Sequence, residues 1–266
     1  MALPLLDRLG LRGAGRAAPV VTLGLIAVCL LVLVVSPSSG LNPLYGTGQA
    51  RVCAEERYEQ RWGAVPAELT TGHPLTAEQL GTLAAALPGC ELPATPAKVP
   101  ALSVLTSLFV HAGWLHLLGN VLFLLVFGPA VEERLGRARF LLLYLTVGYL
   151  AAYGYAIAQA HSPDGLRAVV GASGAIAGVL GGYLRLFPRA RVTALVPVLL
   201  FLPLRLPAWL VLGLWFVLQW WSVRTGGPGV AYLVHVIGFA TGYLTARVAT
   251  ARRIPWRRPP GLGEPE

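Results

Sequence analysis

Three stretches of this sequence place polar side chains where the surrounding residues are apolar enough for hydrocarbon. HAGWLHLLGN carries His111, His116 and Asn120, GASGAIAGVLGGY carries Ser173 between Gly171 and Gly174, and AYLVHVIGFATGY carries His235 ahead of Gly238 and Gly242. A polar or ionisable group inside a membrane span is costly and marks a functional site by default. A serine hydroxyl is a poor nucleophile until a base takes its proton, and histidine is the usual partner. No Asp or Glu falls at the same depth, so the residues offer a Ser173–His235 dyad and leave an acid-oriented triad unavailable. Acyl transfer also needs donors for the developing oxyanion. The Asn120 side-chain amide, the His116 ring N–H and the backbone N–H of Ser173 qualify, the last helped by the dipole at a helix start.

Each feature alone has an ordinary explanation. Small-residue runs such as GASG are mostly packing faces, a lone intramembrane histidine often bonds a neighbouring helix, and His111 reads equally as an interfacial or structural group. Zinc is the chemical competitor, but His111 and His116 are five apart, a poor spacing for two ligands on one helix face. The sequence has no H-E-x-x-H, and no carboxylate completes a shell. The expectation is no metal and no cofactor.

The elements that must position these groups follow from composition. Of 266 residues 55% are hydrophobic and 12% charged, with a mean hydropathy of +0.64. Soluble domains carry about a quarter charged residues, so the chain reads as an all-α polytopic membrane protein. The net charge of +9 sits in arginine clusters at the ends of apolar runs, which is a topology signal and excludes a continuous nucleic-acid footprint. The run 19–36 exceeds a signal-peptide h-region and lacks a good cleavage site, so it is expected to stay as a first transmembrane helix. Residues 37–101 form one long loop. Further spans are expected at about 102–127, 140–160, 171–187, 207–223 and 230–250, a six-helix arrangement flanked by basic ends at 1–18 and 251–266. Between the fourth and fifth, VPVLLFLPLRLP contains Pro197, Pro203, Pro207 and Arg205 and is read as an interfacial connection.

Six spans put both termini on one side, and that side collects fifteen of the 21 basic residues, so both termini are expected in the cytoplasm of a cell membrane. The long loop, with six glutamates, is then extracytoplasmic, where a Cys53–Cys90 disulfide becomes possible. Ser173, His235 and Asn120 each precede a charged residue (Arg185, Arg247, Glu132) by 12 positions. At 1.5 Å per residue each lies roughly 18 Å above its cytoplasmic anchor, so three polar groups on three helices share one layer. Gly174, Gly178 and Gly182, with Gly238 and Gly242, provide the small faces that bring the fourth and sixth spans together.

Taken in order, H-x4-H-x3-N, G-x-S-G and H-x2-G-x3-G resemble the rhomboid intramembrane proteases, as do GPAVEERLGRARF and the LPAWLVLGLWFVLQ that opens the fifth span. The resemblance covers about residues 100 to 245. It implies a six-helix rhomboid-like bundle, Ser173 as nucleophile, His235 as its base, His116 and Asn120 as oxyanion donors and His111 as a structural residue. Its implied activity is cofactor-free serine endopeptidase action on transmembrane protein substrates in or near the bilayer. Two departures stand out: Ala177 where some members carry an aromatic that packs on the histidine, and the long first loop. Competing readings are a proteolytically inactive relative that binds and routes membrane clients, and a small transporter, which would show two related halves with broken helices.

Overall fold

A computed structural model describes residues 18–160, 162–196, 202–226 and 231–251. The basic N-terminus and tail, Pro197 and His161 lie outside the described residues. The apolar helices are α1 (Val20–Val35), α6 (Trp114–Leu135), α7 (Arg137–Gln159), α8 (Ser173–Leu186), α9 (Ala208–Thr225) and α10 (Tyr232–Ala251). Of these, α6 and α7 are long and apolar enough to cross a membrane by length and composition. Large apolar side chains such as Leu31, Leu115, Leu142, Ile157 and Trp221 face outward. That is how an all-α polytopic protein treats lipid as its solvent.

The core is built around α8. Every residue from Gly174 to Gly182 is buried, as expected of a helix that is apolar on all sides. Its glycines let neighbours approach backbone to backbone. A Cβ on Gly242 of α10 would press on the Gly178 carbonyl, with Gly178 Cα and C both 2.5 Å away, and one on Gly178 would strike Val147 of α7. Small-x-x-x-small faces thus bring α8 and α10 together. Phe140, Tyr144, Val147, Leu180 and Phe239 fill the space around them.

Three differences from the sequence reading have physical causes. The expected helix at 102–127 is two pieces, α5 (Pro100–Ser107) and α6, separated by a turn that holds His111. His111 Nδ1–H donates to the Phe109 carbonyl at 3.1 Å, and Gly171 N–H donates to the Ser107 carbonyl at 2.9 Å, tying the turn to the loop before Ser173. α6 runs past the expected end near 127, through Pro129, to Leu135. Glu132, taken as a charge at the membrane edge, is buried instead: its carboxylate accepts from Val21 N (3.0 Å), Thr22 N (2.8 Å) and Thr22 Oγ1 (2.7 Å). It therefore caps the free N–H groups that begin α1, a favourable place for an anion.

The connection before α9 is a β-hairpin, β1 (Arg191–Val196) paired antiparallel with β2 (Leu202–Pro207), in register Thr193 opposite Arg205. This is the one departure from an all-helical chain among the described residues. The long first loop is ordered into α2 (Gln49–Trp62), α3 (Pro66–Thr71) and α4 (Ala77–Ala85). A Cys53–Cys90 disulfide and a buried Lys98–Glu68 ion pair at 2.6 Å hold it together, and Lys98 also donates to the Gln60 carbonyl. Ala64 and Val169 exchange two backbone hydrogen bonds, at 3.0 and 2.8 Å, so this module braces the segment leading into Ser173.

Candidate active site

Ser173 is the first residue of α8 and follows a backbone that only glycine tolerates. Gly171 has φ +116°, and a Cβ there would lie 2.7 Å from the His116 ring. The tight turn aims the serine hydroxyl across the α8–α10 contact, where His235 waits one turn into α10. His235 Nε2 and Ser173 Oγ are 2.9 Å apart. The close helix packing around Gly174 and Gly238 makes that distance possible, since a Cβ on Gly238 would sit 3.1 Å from the Gly174 carbonyl carbon.

The other face of the imidazole meets a residue that the sequence reading passed over. His235 Nδ1 lies 2.7 Å from Gln219 Oε1, on α9. A carbonyl oxygen can only accept, so the proton belongs on Nδ1, and Nε2 is left with a lone pair for the serine hydroxyl. Trp215, one turn earlier on α9, lies against the ring at 6.1 Å between centroids. Tyr232 meets it edge-on at 6.4 Å. These contacts answer the question that Ala177 raised, because the histidine is held from α9 and not by a residue four positions after the serine. A signal was present: Gln219 is the one side-chain amide in α9 and follows an apolar run from Ala208 to Leu218.

His116 and Asn120 reach the same cavity from α6. Asn120 is buried and donates one Nδ2–H to the His116 carbonyl at 3.0 Å, which leaves the second N–H for a ligand. The Ser173 backbone N–H belongs to the first turn of α8, where no carbonyl within the helix can accept it. His111 stands outside the cavity, its ring 5.2 Å from that of His116 in an edge-on contact. It is buried and bonded to its own turn, which is a structural placement. The cavity measures about 730 Å³ and is lined by the polar side chains of Ser173, His235, Gln219 and Asn120 together with apolar ones such as Phe123, Ile176, Leu180 and Trp215. A mostly apolar lining with a few polar groups is what a binding cavity offers a ligand. No group of three or more His, Cys, Asp or Glu side chains suited to a metal occurs among the described residues.

Comparison with known proteins places these elements in context. Residues 100–252 match the family model described as the Rhomboid domain. A protein of Bacillus subtilis (strain 168) named "Putative rhomboid protease YdcA" is 41% identical over 81 residues, covering 30% of this chain and 39% of that protein. "RHOMBOID-like protein 4" of Arabidopsis thaliana is 33% identical over 150 residues, covering 54% of this chain and 33% of that protein. The chain thus spans between a third and two fifths of the length of these curated relatives.

Proposed function

The chain belongs to the rhomboid family, and from that premise we propose that it is an intramembrane serine endopeptidase working through a Ser173–His235 dyad. The observation that carries this reading is the 2.9 Å contact between His235 Nε2 and Ser173 Oγ inside a largely apolar cavity. In the proposed reaction Ser173 Oγ attacks a peptide carbonyl while His235 Nε2 takes its proton. The Ser173 backbone N–H, the free Asn120 Nδ2–H and the His116 ring receive the oxyanion. His235 then returns the proton to the leaving amine, an acyl-enzyme forms on Ser173, and a water activated by the same histidine releases the acid.

Substrates on this reading are transmembrane proteins, cut in or next to a membrane segment. The apolar lining residues Phe123, Leu180 and Trp215 suit such a chain, and Ser173, His235 and Asn120 in the same cavity supply the polar side chains of the proposed reaction. Residence in the cell membrane with both termini cytoplasmic is part of the proposal and rests on the arginine distribution. A client-binding relative without protease activity has less support, because serine and histidine are both present and in hydrogen-bond reach.

The test is cleavage of a membrane-anchored reporter in proteoliposomes by the wild type, Ser173→Ala and His235→Ala. Loss of cleavage in both variants, with folding retained, is the expected result. Equal cleavage by all three proteins overturns the proposal.

A further inference from the structure

The dyad has a third partner, and it is neither an acid nor a residue of the two helices that carry the dyad. We infer that Gln219 is the positioning residue of the site: its carbonyl oxygen holds His235 in the one tautomer that can accept the serine proton. This rests on the protease reading above and extends it.

The geometry is a line across three helices. Gln219 Oε1 of α9 is 2.7 Å from His235 Nδ1 on α10, and His235 Nε2 is 2.9 Å from Ser173 Oγ on α8. A neutral imidazole carries one proton, and only the Nδ1–H form presents a lone pair to the serine. If the amide turned its NH2 to the ring, Nδ1 would have to accept, Nε2 would carry the proton, and the base would be lost. The orientation of one amide therefore separates a competent dyad from an incompetent one. In triad enzymes this task falls to a buried carboxylate, and losing its acceptor leaves the wrong tautomer.

An amide suits this site better than a carboxylate. The titratable side chains lining the cavity are His116 and His235, and Tyr232 touches the ring edge. None offers a fixed positive charge, so a resting carboxylate would carry an uncompensated burial cost. Gln219 gives the directional acceptor without that charge.

Its place on α9 adds a consequence. The buried residues of α9 are Ala208 and Leu212, both in its first two turns, while Trp220 and Trp221 near its end face outward. The end that carries Gln219 and Trp215 is held chiefly by aromatic contacts with Phe123, Phe239 and the imidazole itself. Gln219 and Trp215 therefore reach the imidazole from the same end of α9.

The experiment uses the full-length protein in proteoliposomes with the transmembrane reporter, comparing wild type, Gln219→Leu, Gln219→Glu, Ser173→Ala and His235→Ala. Gln219→Leu keeps the volume and loses the acceptor; kcat is expected to fall roughly tenfold to hundredfold while KM changes less than about twofold. Gln219→Glu restores an acceptor only when ionised, so it is expected to recover part of that loss, more at high pH than at low. In micelles, 15N shifts of the His235 ring should report the Nδ1–H form in wild type and a shift toward Nε2–H in Gln219→Leu. That spectroscopic reading separates positioning from packing. Wild-type kcat in Gln219→Leu, or an unchanged ring tautomer, overturns the inference while leaving the dyad standing if Ser173→Ala and His235→Ala are inactive. Full cleavage by those two variants instead brings down the protease reading beneath it.

Discussion

Replacing Gly242 by alanine tests whether the catalytic distance is set by backbone packing between α8 and α10. The new methyl would press on the Gly178 carbonyl, with Gly178 Cα and C each 2.5 Å away. Carbon atoms pack at about 3.5–4.0 Å, so the helices must part by about 1 Å or more at this crossing. Every near neighbour is backbone, and no side chain can rotate aside to absorb the change. Gly242 lies seven residues after His235, about 10 Å along a rigid helix. A shift of that size carries the 2.9 Å Ser173–His235 contact to about 4 Å, beyond hydrogen-bond range. Misplacement by about 1 Å costs about 10²-fold in rate, and overpacking costs about 1–3 kcal/mol in stability. Reporter cleavage in proteoliposomes reads the first effect, and denaturant unfolding in mixed micelles reads the second. Gly24→Ala on α1 and Gly213→Ala on α9 are the controls, because a Cβ at either meets nothing within 4 Å. Cleavage by Gly242→Ala within about twofold of wild type would refute the reasoning, since it would leave the dyad insensitive to the packing credited with building it.

Four further expectations concern separate parts of the molecule. Asn120→Ala should lower turnover about 10²–10³-fold with little change in unfolding, and an unchanged rate removes Asn120 from the site. Glu132→Gln should destabilise the fold by about 1.5–3 kcal/mol, because its carboxylate accepts three hydrogen bonds from the start of α1; unfolding in mixed micelles measures it. Lys98→Met leaves Glu68 buried and unpaired, an expected loss of about 3–5 kcal/mol, seen as faster proteolysis of the segment between α1 and α5; the joint change with Glu68→Leu should recover most of it. In that segment, burial and then the neighbouring Glu56 and Glu55 push the Glu59 carboxyl up from 4.5 to about 7. The folded segment therefore holds the proton more tightly than the unfolded chain, and stability present at low pH is lost as pH rises through that window. Protease resistance should be greater near about pH 5 than near about pH 8, and Glu59→Gln should flatten the difference.

Much of the architecture was readable because hydrocarbon imposes simple rules. A polytopic helical chain must be apolar along its spans, and the polar exceptions then stand out, as Ser173, His235 and Asn120 did. The glycines of α8 and α10 were readable for the same reason, since packing in lipid favours small residues. Gln219 was not singled out, although it closes the stretch LPAWLVLGLWFVLQ. An amide attracts less notice than a charge, and only the approach of α9 to α10 shows which group it serves. Glu132 was misread because a carboxylate at a helix end looks like an interfacial anchor until the start of α1 is placed over it. The hairpin before α9 was hidden by its prolines. Pro203 and Pro207 are tolerated there because a two-stranded ribbon is all edge, where a missing N–H need cost no ladder bond. The break between α5 and α6 is held by a local bond from His111 to the Phe109 carbonyl and by a tertiary one from Gly171 N–H to the Ser107 carbonyl, and the second of these no local pattern reveals.

The most direct test of the central claim is labelling with a fluorophosphonate, which reacts preferentially with an activated serine, followed by mapping of the adduct. The account requires the adduct on Ser173 in wild type, none there in Ser173→Ala, and strongly slowed labelling in His235→Ala. Equal labelling of all three proteins, or an adduct on another residue, would contradict it.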